Sequence, residues 1–256
     1  MASPLFDLSG KVAVVTGSSK GIGKSIAMHL ALQGAKVVVS SRKQPACEQT
    51  ADEIRKAGGH AVVIPCNISD KAQCERLITE TRKQLGSVDV LVCNAASNPY
   101  YGPNEQMPDD VFMKIMQNNI LSNVWLITFC LPDMRAKKDG SIMIVSSIGG
   151  VRGSPVIGAY CISKAADMQL ARNLAIEYGP DNIRVNAIAP GLVKTDFARA
   201  LWEDPKYLER RLQTAPLRRI GEPDDIGGLA VMLAGKAGAF ITGQTLIADG
   251  GVTIGG

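Results

Sequence analysis

The stretch Thr16-Gly-Ser-Ser-Lys-Gly-Ile-Gly23 joins an apolar, β-branched run to an amphipathic pattern. The first predicts a strand over Lys11–Thr16 and the second a helix over Gly21–Gln33. Glycines at such a turn let the backbone approach a phosphate closely, and the helix that follows offers N–H groups and a positive dipole end. The spacing is G-x-x-x-G-x-G rather than G-x-G-x-x-G. A plain tight turn is the alternative, but a strand before and a helix after favour a dinucleotide site.

Outward from this turn, short apolar runs alternate with helical patterns along the whole chain. Runs such as VVV and VLV are continuous, which is typical of strands buried on both faces of a parallel sheet. Short links between them predict one α/β domain over residues 1–256, a Rossmann-like, doubly wound parallel sheet of seven strands with helices on both faces. The other predicted strands are Ala35–Ser40, Ala61–Pro65, Val88–Cys93, Ser141–Ser146, Ile183–Ala189 and Gln244–Ala248, and the other helices are Gln44–Ala57, Asp70–Leu85, Asp109–Leu131, Gly158–Tyr178 and Pro223–Gly235.

Composition excludes several function classes. The 256 residues are 46% hydrophobic and 20% charged, as in ordinary globular proteins. The net charge of +4 is spread along the chain, so no nucleic-acid partner is expected. No apolar run is long enough to cross a membrane, and neither end carries a secretory or organelle signal, so we expect a cytoplasmic protein. Six cysteines without CxxC spacing and two separated histidines predict reduced thiols and no metal site.

The end of the second predicted strand bears on cofactor choice. An NAD site usually places a carboxylate there, on the ribose 2′-hydroxyl. No Asp or Glu lies between Lys24 and Cys47, and the strand runs into Ser40-Ser41-Arg42-Lys43. Arg42 can bind a 2′-phosphate with its planar guanidinium, and Lys20 adds a second cation. These residues favour NADP(H) over NAD(H), although both cations could simply be solvated.

The candidate catalytic residues lie between Asn119 and Lys164. Tyr160 and Lys164 are four residues apart and share one helical face. A close ammonium favours the phenolate and lowers a tyrosine pKa toward the working pH of a general acid or base. Ser147 ends a predicted strand, where ligands bind in open α/β sheets. Asn119 is a polar residue in mid-helix, and we expect it to hold a backbone carbonyl and a water leading to Lys164. The alternative for Ser147 is a strand-end hydroxyl with a local hydrogen bond, and the alternative for Asn119 is an exposed helix residue.

These motifs together resemble the short-chain dehydrogenase/reductase family over about residues 8–252. The resemblance also rests on Cys-Asn-Ala-Ala at 93–96, Pro190-Gly191 running to Thr195, Ile241-Thr-Gly-Gln-Thr, and Asp249-Gly-Gly251. It implies that Tyr160 exchanges a proton with the substrate oxygen, Ser147 orients that oxygen, Lys164 binds the nicotinamide ribose, and Asn119 completes a proton relay. The cofactor residues that it implies are Gly17, Ser19, Lys20, Gly21, Ile22, Gly23, Ser41, Arg42, Lys43, Asn67, Ile68, Asn94, Ala95, Ala96, Tyr160, Lys164, Pro190, Gly191, Val193 and Thr195.

Two positions depart from the family pattern. The usual Asn-Asn-Ala-Gly is Cys93-Asn-Ala-Ala96, so Ala96 narrows the space over the cofactor. The usual Asp after the third strand is Asn67, which can still bond the adenine amino group. Neither departure touches the four predicted catalytic residues.

The resemblance is nearest to the NADPH-dependent carbonyl reductase branch that includes peroxisomal retinal reductases. The expected activity is hydride transfer between NADP(H) and a carbonyl or secondary alcohol. The alternatives are a 3-oxoacyl-carrier-protein reductase with an arginine patch (Arg152, or Arg210, Arg211, Arg218 and Arg219), an NAD-linked sugar or steroid alcohol dehydrogenase, and a non-catalytic cofactor-binding module.

The substrate side and the assembly are also predicted. An apolar pocket wall is expected from Tyr100, Tyr101, Val156, Phe197 and Trp202. Residues 192–217 are expected to form a mobile lid over a small-molecule substrate.

The family resemblance implies a homotetramer, or a dimer, formed through the helices near 109–131 and 158–178 and the tail near 238–251.

Overall fold

A computed structural model describes residues 3–255. Its centre is a single sheet of seven parallel strands in the order β3-β2-β1-β4-β5-β6-β7. The predicted single-domain, doubly wound α/β fold is therefore confirmed. The strands are β1 Val12–Thr16, β2 Lys36–Ser40, β3 His60–Val63, β4 Val90–Cys93, β5 Gly140–Val145, β6 Ile183–Pro190 and β7 Thr245–Ala248.

Helices cover both faces of the sheet, and alternate strand residues point to the two faces. Ala13 and Val15 of β1 face an apolar layer formed with α1, α2 and α9. Val14 of the same strand faces a second layer formed with α3, α5 and α6. Burial on both faces explains the continuous apolar runs. The helices are α1 Gly21–Leu32, α2 Gln44–Lys56, α3 Lys71–Leu85, α4 Asp109–Met116, α5 Ser122–Lys137, α6 Gly158–Tyr178, α7 Arg199–Trp202, α8 Pro205–Thr214 and α9 Asp224–Ala234.

The order of the strands places a cleft at one edge of the sheet. β1 pairs with β2 on one side and with β4 on the other, so the direction of winding reverses between β1 and β4. In open α/β sheets, ligands bind outside the carboxyl ends of the strands at this reversal. The glycine turn after β1 lies there.

The long helix predicted over Asp109–Leu131 differs most from its prediction. It continues to Lys137 and is interrupted by a π-helical turn at Gln117–Leu121. π turns insert one residue into a helix and are frequent at functional sites. Most other boundaries lie within about two residues of their predictions. Among residues 3–255, no helix is both long and apolar enough to cross a membrane.

Candidate active site

The backbone of the glycine turn has a geometry that lets a phosphate group approach it closely. Gly17 and Gly21 have φ values of +65° and +57°, which favour glycine over other residues. A Cβ on Gly23 would overlap the Gly17 carbonyl oxygen and the Asn94 amide nitrogen. The glycines are therefore required by the shape of the turn.

Asn94 fixes this turn to the neighbouring strand. Its Nδ2 donates to the carbonyl oxygens of Thr16 at 2.8 Å and Gly17 at 3.2 Å. The Thr16 hydroxyl oxygen accepts from the backbone N–H groups of Asn94 and Ala95. Asn94 was predicted to line the cofactor cleft, but its side-chain amide nitrogen bonds the turn itself.

A cavity of about 460 Å³ opens beside the turn. It lies between Ser19, Lys20 and Gly21 on one side and Lys194, Thr195 and Asp196 on the other. The Lys20 Nζ lies 3.1 Å from the Asp196 carboxylate, and the lysine side chain remains 67% exposed. Asp196 was not foreseen as a neighbour of Lys20, since the two residues are far apart in sequence.

The residues at this cavity fit a dinucleotide. Helix α1 has neither a side-chain cap nor an acidic residue in its first turn, so its N–H groups are available to an anionic phosphate. Arg42 and Lys43 are exposed just beyond the end of β2. Among residues 3–255, neither side chain forms an ion pair.

The remaining predicted cofactor residues lie along the same carboxyl edge. Ser41 and Asn67 follow β2 and β3, and the Asn67 side-chain oxygen accepts bonds from Ser69. Pro190 ends β6, and the Gly191 N–H donates to the Ala248 carbonyl oxygen at 2.9 Å. Ile22 lies in the first turn of α1, Ile68 and Ala96 are partly buried after β3 and β4, and Val193 is buried and bridges Gly221.

Tyr160 and Lys164 lie in the first two turns of α6. Lys164 is only 2% exposed, and its Nζ donates to the Val145 carbonyl oxygen at 2.8 Å and to the Asp167 carboxylate at 2.9 Å. The same Nζ is 5.6 Å from the centroid of the Tyr160 ring. The structure thus holds a buried ammonium beside the phenol.

The net pKa of Tyr160 differs from the sequence-based expectation. Burial raises the pKa of this phenol above its ordinary value, and this effect outweighs the others. The Lys164 ammonium lowers the pKa, as predicted, and so does the hydroxyl of Ser147, while Asp167 raises it. The expectation of a lowered value was wrong because it took no account of burial or of Asp167.

Asn119 lies in the π turn and is fully buried. Its side-chain oxygen accepts from the Ser97 N–H at 2.8 Å, and its Nδ2 donates to the Ser97 carbonyl oxygen and the Ser163 hydroxyl oxygen, both at 3.0 Å. The Ser163 hydroxyl in turn donates to the Tyr160 carbonyl oxygen at 2.7 Å. Asn119 therefore links the loop after β4 to the backbone of α6.

Asp167 was missed by the sequence analysis. It is fully buried, and it faces both Lys164 and the amide of Asn123 on α5. A signal was available, because Tyr160, Lys164 and Asp167 are spaced i, i+4 and i+7 and thus share a helical face.

Phe197 lies beside the Tyr160 ring, and two other residues of the predicted pocket wall lie on segments that the structure ties in place. The Phe197 ring centroid lies 6.1 Å from that of Tyr160, and Phe197 is 60% exposed. The Trp202 indole N–H donates to the Thr195 carbonyl oxygen at 2.8 Å. The loop that carries Tyr101 is tied to Val156 by the Gly102 N–H, at 2.9 Å. A partly apolar surface thus adjoins the phenol.

Comparison with known proteins places this geometry in a family. Residues 17–253 match a family model described as enoyl-(acyl carrier protein) reductase. Dehydrogenase/reductase SDR family member 4 of Homo sapiens is 40% identical over 244 residues, which are 95% of this chain and 88% of that protein. The chain belongs to the short-chain dehydrogenase/reductase family. Members of this family are oxidoreductases that use a nicotinamide cofactor.

Among solved structures that resemble this short-chain dehydrogenase/reductase, one contains NADH and another contains NADP. A 7α-hydroxysteroid dehydrogenase complexed with NADH and 7-oxo glycochenodeoxycholic acid is 35% identical, with a TM-score of 0.94, and the match covers 98% of this chain and 97% of that one. A gluconate 5-dehydrogenase from Burkholderia cenocepacia in complex with NADP and tartrate is 30% identical, with a TM-score of 0.93 and 98% coverage of both chains.

Proposed function

We propose that this short-chain dehydrogenase/reductase transfers a hydride between NADP(H) and a carbonyl or secondary alcohol, with Tyr160 as the general acid and base. The observation that carries this proposal is the half-buried Tyr160 phenol beside the buried Lys164 ammonium. A positioned phenol can give a proton to a carbonyl oxygen or accept one from an alcohol.

The protein's own residues position the substrate and move the proton. In reduction, Tyr160 donates its phenolic proton to the oxygen of the substrate carbonyl, and Ser147 donates a hydrogen bond to the same oxygen. Lys164 stabilises the phenolate that remains. The nicotinamide supplies the hydride when it is bound. Asn119 keeps α6 in register with the loop after β4 through Ser97.

Replacing one oxygen tests this role. In Tyr160→Phe, we expect kcat for carbonyl reduction to fall by about 100-fold or more, because general acid catalysis of this kind contributes about 10²–10⁴-fold. NADPH binding, followed by nucleotide fluorescence, should change little. Tyr178→Phe is the matched control, since Tyr178 lies at the opposite end of the same helix α6. An unchanged kcat in Tyr160→Phe would remove the tyrosine from the mechanism.

NADP(H) preference is the finer part of the proposal. The absence of a carboxylate between Lys24 and Cys47 and the exposed Arg42 and Lys43 beyond β2 support it. We expect NADPH to bind at least tenfold more tightly than NADH, about 1.4 kcal/mol. Arg42→Ala should remove most of that difference.

Lys36→Ala is the control for charge, because Lys36 is exposed at the opposite end of the same strand. Equal binding of both nucleotides to the unchanged protein would overturn the preference for NADP(H).

A second candidate is NAD(H)-linked dehydrogenation of a hydrophobic alcohol. It is favoured by Asp196, which partly neutralises Lys20, one of the cations proposed for the 2′-phosphate. The same titration decides between the two, since tighter NADH binding supports this second candidate.

The arginine patch proposed for an acyl carrier has other partners. Arg219 pairs with Asp225, Arg211 bonds the Tyr207 hydroxyl, and Arg152 donates to the Val252 carbonyl oxygen. These contacts weaken the case for a 3-oxoacyl-carrier-protein reductase.

We further propose a cytoplasmic homotetramer that acts on a small-molecule substrate.

A further inference from the structure

A buried ion pair lies beneath the proposed general acid, and the reaction as proposed above does not use its carboxylate. The Asp167 and Lys164 side chains are 0% and 3% exposed, and Asp167 Oδ2 accepts from Lys164 Nζ at 2.9 Å. Unpaired charges in such surroundings are strongly disfavoured, so each of these two groups depends on the other.

Asp167 is held by two elements at once. Its second oxygen accepts from Asn123 Nδ2 on α5 at 3.1 Å, and that nitrogen also donates to the Asn119 carbonyl oxygen at 2.6 Å. One helical turn away, Asn119 donates to Ser163 in the same manner. Two amides spaced by four residues thus bond two α6 side chains spaced by four residues. This ladder leaves Asp167 little freedom to turn away from Lys164.

We propose that Asp167 is a positioning residue of this active site, whose carboxylate fixes the Lys164 ammonium beside Tyr160 and offsets part of the positive charge that the phenol experiences. The proposal rests on the proposed role of Tyr160 and deepens it. Lys164 has three N–H donors, and Val145 and Asp167 occupy two of them, so the third remains for a group in the cleft.

The charge of the cluster explains the effect on the phenol. With Asp167 ionised, Lys164 protonated and Tyr160 neutral, the buried cluster has no net charge, and deprotonating Tyr160 leaves one uncompensated negative charge. Asp167 accordingly raises the pKa of Tyr160 and of Lys164. Without the carboxylate, the same deprotonation would turn a net positive cluster into a neutral one and would be easier.

The other groups that face the cluster do not offset these charges. Cys93 at the end of β4 and Cys161 on α6 are the remaining titratable neighbours, and burial raises the pKa of both thiols, so they stay neutral. Asn123 from α5 and the Val145 carbonyl from β5 are dipoles without net charge. Asp167 is therefore the charged partner that sets the field of Lys164.

The test follows the phenol directly, without substrate or cofactor. The protein is labelled with [13Cζ]tyrosine, Tyr160→Phe assigns the Tyr160 resonance, and its chemical shift is recorded against pH. In Asp167→Asn, we expect the resonance to titrate about one pH unit or more below the unchanged protein, because the variant loses a nearby negative charge that disfavours the phenolate. An unshifted or higher titration in a folded variant would overturn the proposal.

Three further variants separate charge from structure. Asp167→Glu keeps the charge and should titrate near the unchanged protein. Asp89→Asn removes another buried aspartate, which pairs with Lys137 at the opposite end of the sheet, and should leave Tyr160 unmoved. Should Asp167→Asn fail to fold, Asn123→Leu keeps the carboxylate but removes the Asn123 bonds to Asp167 and to the Asn119 carbonyl oxygen. It should shift the titration in the same direction by less, because Asp167 is then less firmly held against Lys164. No shift there would then count against the proposal.

Kinetics supply the second readout. In Asp167→Asn, the alkaline loss of carbonyl reduction should move to lower pH by the same amount as the resonance. If Tyr160 titrates lower in Asp167→Asn but the unchanged protein has no reductase activity, the role of Asp167 is supported and the proposed reaction is rejected. If the unchanged protein is active but Tyr160 titrates at the same pH in Asp167→Asn, the proposed reaction is supported and the role of Asp167 is rejected.

Discussion

At the scale of single residues, the proposed role of Tyr160 as general acid and base predicts opposite pH profiles for reduction and oxidation. Burial holds the pKa of this phenol above its ordinary value, so it remains protonated through neutral pH. Reduction needs the protonated phenol, whereas alcohol oxidation needs the phenolate. We therefore expect kcat/KM for reduction to stay level through neutral pH and fall under alkaline conditions, and kcat/KM for oxidation to rise over the same interval.

Initial rates in both directions across the pH range check this prediction. Each profile should show one inflection above neutral pH, since both report the ionisation of the same phenol. Reduction that declines from weakly acidic pH upward would contradict the raised pKa of Tyr160.

Residue-level predictions identified the pair Tyr160 and Lys164, which the structure brings together, but not all the contacts of the predicted site residues. Tyr160 and Lys164 were visible because their spacing places them on one helical face. The pairing of Lys20 with Asp196, and of Asn119 with Ser97 and Ser163, depends on elements that only the folded chain brings together. Sequence spacing alone carries no signal for such contacts.

At the scale of elements, the glycine turn is the least tolerant of change. A methyl group at Gly23 would overlap the Gly17 carbonyl oxygen, which is backbone and cannot move aside cheaply. We expect Gly23→Ala to weaken NADPH binding at least tenfold and to lower Tm. Fluorescence titration and thermal unfolding measure these two effects.

Gly228→Ala is the matched control for this turn. Gly228 is exposed within α9, and an added Cβ meets nothing within 4 Å. Because alanine favours helices over glycine by about 0.8–1.0 kcal/mol, this variant should be slightly stabilised and bind NADPH normally. Similar behaviour of the two variants would show that the turn has no special requirement.

The segment over residues 192–217 is proposed to close over the substrate. Its helices α7 and α8 contain no buried residues, and local unfolding is easiest in such elements. We expect NADPH to slow tryptic cleavage at Arg199, Lys206 and Arg210, because Lys194–Asp196 line the proposed cofactor cavity. Cleavage after Lys138 is the internal control. Equal cleavage of the segment with and without NADPH would count against a lid.

Strands and most helices were predictable because their patterns are local. Continuous apolar runs indicated the buried strands, and periodic patterns the helices. The π turn at Gln117–Leu121 was not predicted, since no residue type in this segment marks a one-residue insertion. The turn is evident only from the backbone, together with the contacts that Asn119 makes there.

At the scale of the whole molecule, exposed apolar side chains support the proposed tetramer. Ile162 and Ile176 are exposed on α6, and Phe240 and Ile247 are exposed in the tail near 238–251. Isolated exposed apolar residues are ordinary, but these lie on the two surfaces expected to form interfaces. Light scattering should give about four times the 27.2 kDa chain mass.

Charged substitutions test the two surfaces separately. Ile176→Glu or Phe240→Glu should yield dimers, whereas Leu32→Glu, at an exposed site at the end of α1, should leave the tetramer intact. A monomer in the unchanged protein at micromolar concentration would contradict the assembly.

The order of strands also bears on how the chain folds during synthesis. β1 is made first yet lies between β2 and β4, so one of its edges stays unpaired until Val90–Cys93 has left the ribosome. A nascent chain that ends near Leu85 would therefore present a bare, apolar strand edge, the kind of surface that promotes aggregation. If translation pauses before β4 is made, a chaperone that covers the exposed edge of β1 should therefore reduce aggregation of the nascent chain.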